Sequence, residues 1–74
     1  MAAILIIKTG PEPGRNLELN PGVNRFGRSP ENDFPIGDPS ISTFHCEIHV
    51  ADIAVSVKDL GSTNGTFINQ QRIA

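Results

Sequence analysis

The sequence predicts an all-β domain, a sandwich or barrel of short strands. Three observations predict it. No stretch holds a 3.6-residue apolar period long enough for a helix. Short β-branched or alternating runs recur instead. Turn formers separate them, with 7 Gly and 6 Pro in 74 residues.

The elements follow in chain order. Residues 3–8 are a β-branched run and read as a strand buried on both faces. Gly10-Pro11-Glu12-Pro13-Gly14 is a loop. Residues 16–19 form a short strand with Leu17 and Leu19 on one face. Asn20-Pro21-Gly22 is a turn, and residues 23–27 are a third strand. A polar loop at 29–33 leads to a short strand at 34–36, where Pro35 argues for an edge. Residues 37–40 form another loop.

Residues 44–50 alternate, with Phe44, Cys46, Ile48 and Val50 facing one way and His45, Glu47 and His49 the other. Ile53, Val55 and Val57 alternate next, so a short Ala51-Asp52 connection makes the two segments a hairpin. Residues 60–65 are a loop rich in Gly, Ser, Thr and Asn. Residues 66–68 are a strand, 69–71 a turn, and Ile73 starts a further element.

Composition narrows the function classes. Six Lys and Arg against eight Asp and Glu give a formal charge of −2, which argues against nucleic acid as a partner. The apolar run at 1–7 is too short to span a bilayer, and Lys8 ends it without a cleavage pattern. A lone Cys46 excludes a disulfide framework and fits a reducing, cytoplasmic setting.

Chemistry concentrates in three loops that follow strand ends: Gly27-Arg28-Ser29, Ser40-Ile41-Ser42-Thr43 and Gly61-Ser62-Thr63-Asn64-Gly65. Loops at one end of a sandwich converge, so the three are candidates for one site. Arg28 offers a planar cation suited to a phosphate. Ser42 and Thr63 offer hydroxyls, and the glycines let backbone N–H groups approach a small anion.

Other chemistries fare worse. His45, Glu47 and His49 share a face, but Cys46 points away and nothing completes a metal set. The glycine-rich segment at 61–66 lacks the lysine and the following helix of a phosphate-binding nucleotide loop. The carboxylates are scattered, with no pair placed for acid–base catalysis. Cys46 reads as a small core residue rather than a nucleophile. The expectation is no enzyme, no metal and no cofactor.

Four blocks taken together carry a resemblance. They are Phe26-Gly27-Arg28-Ser29, Asn32-Asp33-Phe34, Ile41-Ser42-Thr43-Phe44-His45, and the run from Asp59-Leu60-Gly61-Ser62-Thr63-Asn64-Gly65 to Thr66-Phe67-Ile68-Asn69. In order and spacing they resemble the forkhead-associated (FHA) domain family. The resemblance implies a two-sheet β-sandwich over residues 1–74 that recognises phosphothreonine in a partner protein without catalysis. Arg28, Ser42 and Thr63 would contact the phosphate, with help from Thr43, and Asn64 would hold the peptide main chain. Gly27, His45 and Gly65 match positions that support the site from beneath.

Three departures qualify the resemblance. The family usually has Arg, Lys or Asn where this chain has Thr43. The position that selects the side chain three residues after the phosphothreonine is Ser40, which favours no acidic residue. The family also continues with two more C-terminal strands beside the first strand. A sheet without them leaves apolar faces and ladder groups open to self-association or strand exchange. The alternative function is an adaptor that docks protein surfaces without phosphate.

Overall fold

The computed structural model describes residues 3–73, all strand, turn and loop. Among these residues eight strands run in chain order: β1 (Ala3–Ile6), β2 (Asn16–Leu19), β3 (Gly22–Gly27), β4 (Phe34–Pro35), β5 (Cys46–Val50), β6 (Val55–Asp59), β7 (Phe67–Ile68) and β8 (Gln71–Arg72). They form a four-stranded sheet in the order β4-β3-β5-β6 and two separate ladders, β1-β2 and β7-β8. The all-β sandwich is as expected. No helix among the described residues is long and apolar enough to cross a membrane.

The core lies between the β1-β2 ladder and the large sheet. Alternation in β2 sends Leu17 and Leu19 inward, where they meet Phe26 of β3 and Ile48 and Val50 of β5. Full burial of such side chains is worth about 1.5–3 kcal/mol each. Phe26 also stacks on Phe34, with ring centroids 5.1 Å apart. Their strands pair in parallel, Phe26 opposite Phe34, and β4 is the sheet edge that Pro35 demands.

Four expectations need correction. The first strand is buried on one face, not two: Ala3 and Leu5 pack on the core while Ile4 is 63% and Ile6 51% exposed. A two-stranded ladder packed on one sheet has only one covered face. Phe44 does not continue the inward row of β5 and is exposed. The strand starts at Cys46 because the backbone just before it serves the neighbouring loop, with Ser42 and Thr43 carbonyls accepting from the Arg28 and Ser29 amides.

The hairpin loop is four residues rather than two. Ala51 N–H donates to the Ala54 carbonyl at 2.9 Å and Val50 pairs with Val55, which leaves Ile53 on an exposed tip. The last turn is tighter than expected: Asn69 and Gln70 both take positive φ, 50° and 68°, so Gln71 already belongs to β8. Positive φ at both central residues is the geometry that matches strand twist in a two-residue hairpin.

One buried polar residue organises the β2-β3 turn. Asn24 has no exposed surface. Its Oδ1 accepts from Asn20 N–H at 2.8 Å, and its Nδ2 donates to the Asn20 carbonyl at 2.8 Å and the Ile48 carbonyl at 3.1 Å. The side chain thereby ties the turn to β5.

Candidate functional site

Three loops meet at one end of the large sheet. They follow β3, lie between β4 and β5, and lie between β6 and β7. Backbone bonds stitch them together. Arg28 N–H donates to Ser42 O at 3.0 Å, His45 N–H to Phe26 O at 2.9 Å, and Leu60 N–H to His45 O at 2.9 Å.

The layer beneath the loops is built from Gly27, Asn32, His45 and Gly65, all buried. Asn32 Nδ2 donates to the Ser29 carbonyl at 2.9 Å and the Thr43 carbonyl at 2.8 Å, pinning the first loop to the second. Gly27 leaves room for this bridge. A Cβ there would collide with the Thr43 carbonyl and come within 2.7 Å of Asn32 Nδ2.

His45 ties the second loop to the third. Its Nδ1 accepts the Ser42 N–H at 3.1 Å, and its Nε2 faces the Gly65 carbonyl at 2.9 Å. An amide donor at Nδ1 places the ring proton on Nε2, so the ring is the neutral Nε2–H tautomer. Both nitrogens are occupied, which removes His45 from any metal set. Gly65 has φ of 87°, a conformation that favours glycine.

Asp59 shapes the third loop. Its Oδ2 accepts from Gly61 N–H at 2.9 Å and Ser62 N–H at 3.1 Å, while its Oδ1 accepts from Ser62 Oγ and from Thr66 Oγ1 at 2.7 Å. These bonds, led by the Ser62 and Thr66 hydroxyls, lower the carboxyl pKa to about 2. Ser62 Oγ in turn accepts the Gly65 N–H at 3.0 Å.

On this platform Arg28, Ser40, Ser42, Thr63 and Asn64 line one polar groove of about 130 Å³, together with Pro39 and Ile41. Ser42 Oγ accepts Thr63 N–H at 2.9 Å, which leaves its own hydrogen free to donate. Asn64 Nδ2 donates to the Ser40 carbonyl at 2.8 Å, so Asn64 clamps the second loop while its side-chain oxygen remains an acceptor. Arg28 is exposed, with Nη1 3.5 Å from the Pro39 carbonyl. The groove thus offers a guanidinium and a hydroxyl donor to an anion.

The FHA domain family matches this chain over residues 24–74. The chain belongs to the FHA domain family. It is 32% identical over 72 residues to the glycogen accumulation regulator GarA of Mycobacterium tuberculosis, covering 97% of this chain and 44% of that protein. It is 36% identical over 70 residues to the oxoglutarate dehydrogenase inhibitor of Corynebacterium diphtheriae, covering 95% of this chain and 49% of the inhibitor. The chain therefore spans about half the length of these curated relatives.

Solved FHA structures agree with the fold. One, from a structural and functional analysis of phosphothreonine-dependent FHA domain interactions, superposes with a TM-score of 0.88 at 32% identity, covering 99% of this chain and 74% of its own. Another, Mycobacterium tuberculosis EmbR in complex with a low-affinity phosphopeptide, gives a TM-score of 0.76 at 30% identity, covering 82% of this chain and 16% of its own.

Within this FHA domain, five of the anticipated contact residues share the groove and the three support residues lie below it. Thr43 is the exception. It is exposed and outside the groove lining, and its carbonyl is used by Asn32 and Ser29. Ser40 also differs from a free selector, because its hydroxyl donates to Asp38 Oδ1 at 2.8 Å.

The sequence reading gave no role to Asn32, Asp59 or Ser62. Asp59 and Ser62 carried a usable signal: an Asp two residues before Gly and three before Ser is a pattern for side-chain-to-backbone turns. Asn32 carried no local signal for its bridge, since the second of its two partners, the Thr43 carbonyl, is eleven residues away. Cys46 is half-buried, and burial first, then Asp59 and Glu47, push its thiol up to about 11.

Proposed function

We propose that this FHA domain binds phosphothreonine peptides of partner proteins in the groove between its three loops. The observation that carries the reading is the convergence of the Arg28 guanidinium, the free Ser42 hydroxyl hydrogen and the Asn64 acceptor on one polar groove. Arg28 grips the phosphate, Ser42 donates to a phosphate oxygen, and Thr63 supplies a second hydroxyl. Asn64 accepts from a peptide N–H. Solved relatives of the same fold engage in phosphothreonine-dependent interactions or hold a phosphopeptide, which supports the assignment.

The role is binding rather than catalysis. The Cys46 thiol stays protonated and His45 has no free nitrogen, so neither supplies a nucleophile or base. Regulator and inhibitor are the names of its relatives, in keeping with a binding module. We place the domain in the cytoplasm, where the phosphorylated partner of such a module and a free cysteine both fit.

A phosphopeptide pool tests the reading. Retention of phosphothreonine peptides, with phosphoserine and unphosphorylated pools passing through, supports it. Equal retention of unphosphorylated peptide by the folded domain would replace it with phosphate-independent docking. That second reading has one observation in its favour: among the described residues Arg28 is the only cation lining the groove, Thr43 standing where the family often adds another. Self-association is a further part of the proposal. An apolar groove of about 260 Å³ opens between Leu5, the core face of the large sheet, and Phe67 and Ile68 of β7. Sedimentation velocity over a concentration series tests it.

A further inference from the structure

A second pocket, of about 140 Å³, lies between the β1-β2 loop and the β4-β5 loop, and the proposed phosphate site does not use it. Half-buried Ile7, Ile36 and Ile41 give it an apolar wall, exposed Pro11 adds to it, and the carboxylates of Glu12 and Asp38 stand among its lining. Two features connect it to the phosphate groove. Ile41 lines both. Asp38 and Ser42 are four residues apart in sequence, so their Cα atoms are separated by at most about 14 Å, the reach of about four extended ligand residues.

Charge decides what the pocket fits. Asp38 Oδ1 accepts both the Ser40 N–H at 2.9 Å and the Ser40 hydroxyl at 2.8 Å. Those bonds lower its pKa and keep it ionised. Asp38 Oδ2 is turned toward the β1-β2 loop, where a Cβ on Gly10 would lie 3.2 Å from it. Glu12 meets Arg15 through one long contact of 3.4 Å at the surface. An apolar wall beside carboxylates suits a side chain with an aliphatic stem and a cationic head.

We propose that this pocket is a second peptide subsite that takes a lysine or arginine side chain within about four residues of the phosphothreonine. The proposal rests on the phosphopeptide reading above. The acidic rim sits beside the cationic phosphate grip, so a bound peptide would be read as an anion followed or preceded by a cation. A peptide with an acidic residue at that position would be rejected.

The test uses the full chain and phosphothreonine peptides with alanine at every flanking position. Each position up to four residues away is replaced in turn by lysine, norleucine or glutamate, and affinities are read by fluorescence anisotropy. The expected result is one position where lysine binds about fivefold tighter than alanine. Norleucine there should gain less and glutamate should bind more weakly than alanine. Glu12→Lys should abolish the lysine gain at that position while the alanine peptide still binds. Methyl signals of Ile7 and Ile36 should shift with the lysine peptide beyond the alanine reference.

Phosphopeptide binding with no position favouring lysine overturns the inference and leaves the phosphate site standing. So does a norleucine gain equal to that of lysine, or a uniform lysine gain at all positions. Absence of binding by every phosphopeptide overturns the phosphopeptide reading and this subsite with it.

Discussion

The Ser42 hydroxyl accepts the backbone N–H of Thr63 at 2.9 Å, joining two loops 21 residues apart. This bond uses a lone pair of the hydroxyl and so leaves its hydrogen free to donate to a ligand in the groove. Ser42→Ala should therefore weaken phosphopeptide binding about tenfold, the size of one lost hydrogen bond to a charged group. It should also move the Thr63 amide resonance in the free domain. A titration with heteronuclear NMR detection reads both. An unmoved Thr63 amide would contradict the bond.

Arg28 carries the only cationic head of the groove among the described residues and is exposed, so its removal separates binding from folding. Arg28→Ala should lower phosphopeptide affinity by about tenfold to a hundredfold. The urea midpoint should change little, as for surface substitutions in general. Isothermal titration beside denaturation shows the split. Unchanged affinity would remove Arg28 from the site.

Gly27 is held by close approach rather than by turn geometry. Gly27→Ala places a Cβ against the Thr43 carbonyl and 2.7 Å from Asn32 Nδ2. Backbone has to shift to admit it, at a cost of about 1–3 kcal/mol. The Asn32 bridge should loosen with it, so stability and phosphopeptide affinity should fall together. Urea denaturation and binding on the same preparation check this.

Asn24 is the structural counterpart at the far end of the sheet. Asn24→Ala removes its bonds to Asn20 and Ile48 and leaves buried backbone groups unmatched. Stability should fall by about 2–3 kcal/mol. Binding measured well below the melting temperature should persist, because the turn lies away from the loops. Chemical denaturation with a binding control tests it.

Asp59 predicts the acid limit. Its carboxyl titrates at about 2 in the folded domain against 3.8 ordinarily. A folded pKa below the unfolded one adds stability that is fully present above about pH 4. That stability fades as pH falls toward 2. Asp59→Asn removes the charge and replaces one of the two acceptor oxygens by an NH₂, in a site where all four bonds are accepted by the carboxylate. It should be less stable than wild type at pH 7, and the two should converge near pH 2. Urea midpoints against pH give the comparison.

Much of this domain was legible before any tertiary structure. Alternation placed Leu17, Leu19, Ile48 and Val50 in the core, and Pro35 placed β4 at an edge. Four motif blocks picked out the loops that meet. At Ile4, Ile6 and Phe44 the packing of the whole fold overrides the local pattern. Ile4 and Ile6 look like core residues by their own chemistry, yet no second layer covers that face of β1. Phe44 fits the alternating row, yet the backbone beside it is taken by the neighbouring loop.

The sequence by itself determined the fold class, the succession of strands along the chain and the residue types gathered in the three loops, because periodicity and turn chemistry act over a few neighbouring residues. Tertiary structure alone decided what those residues can do. Only the folded chain sets His45 between Ser42 and Gly65, leaves the Ser42 hydrogen free, excludes Thr43 from the groove and puts Glu12 and Asp38 on one pocket. These features depend on how the three loops and the two layers pack, as in the bonds from Ser42 to Thr63 and from His45 to Gly65 over about 20 residues, and no local pattern encodes that geometry.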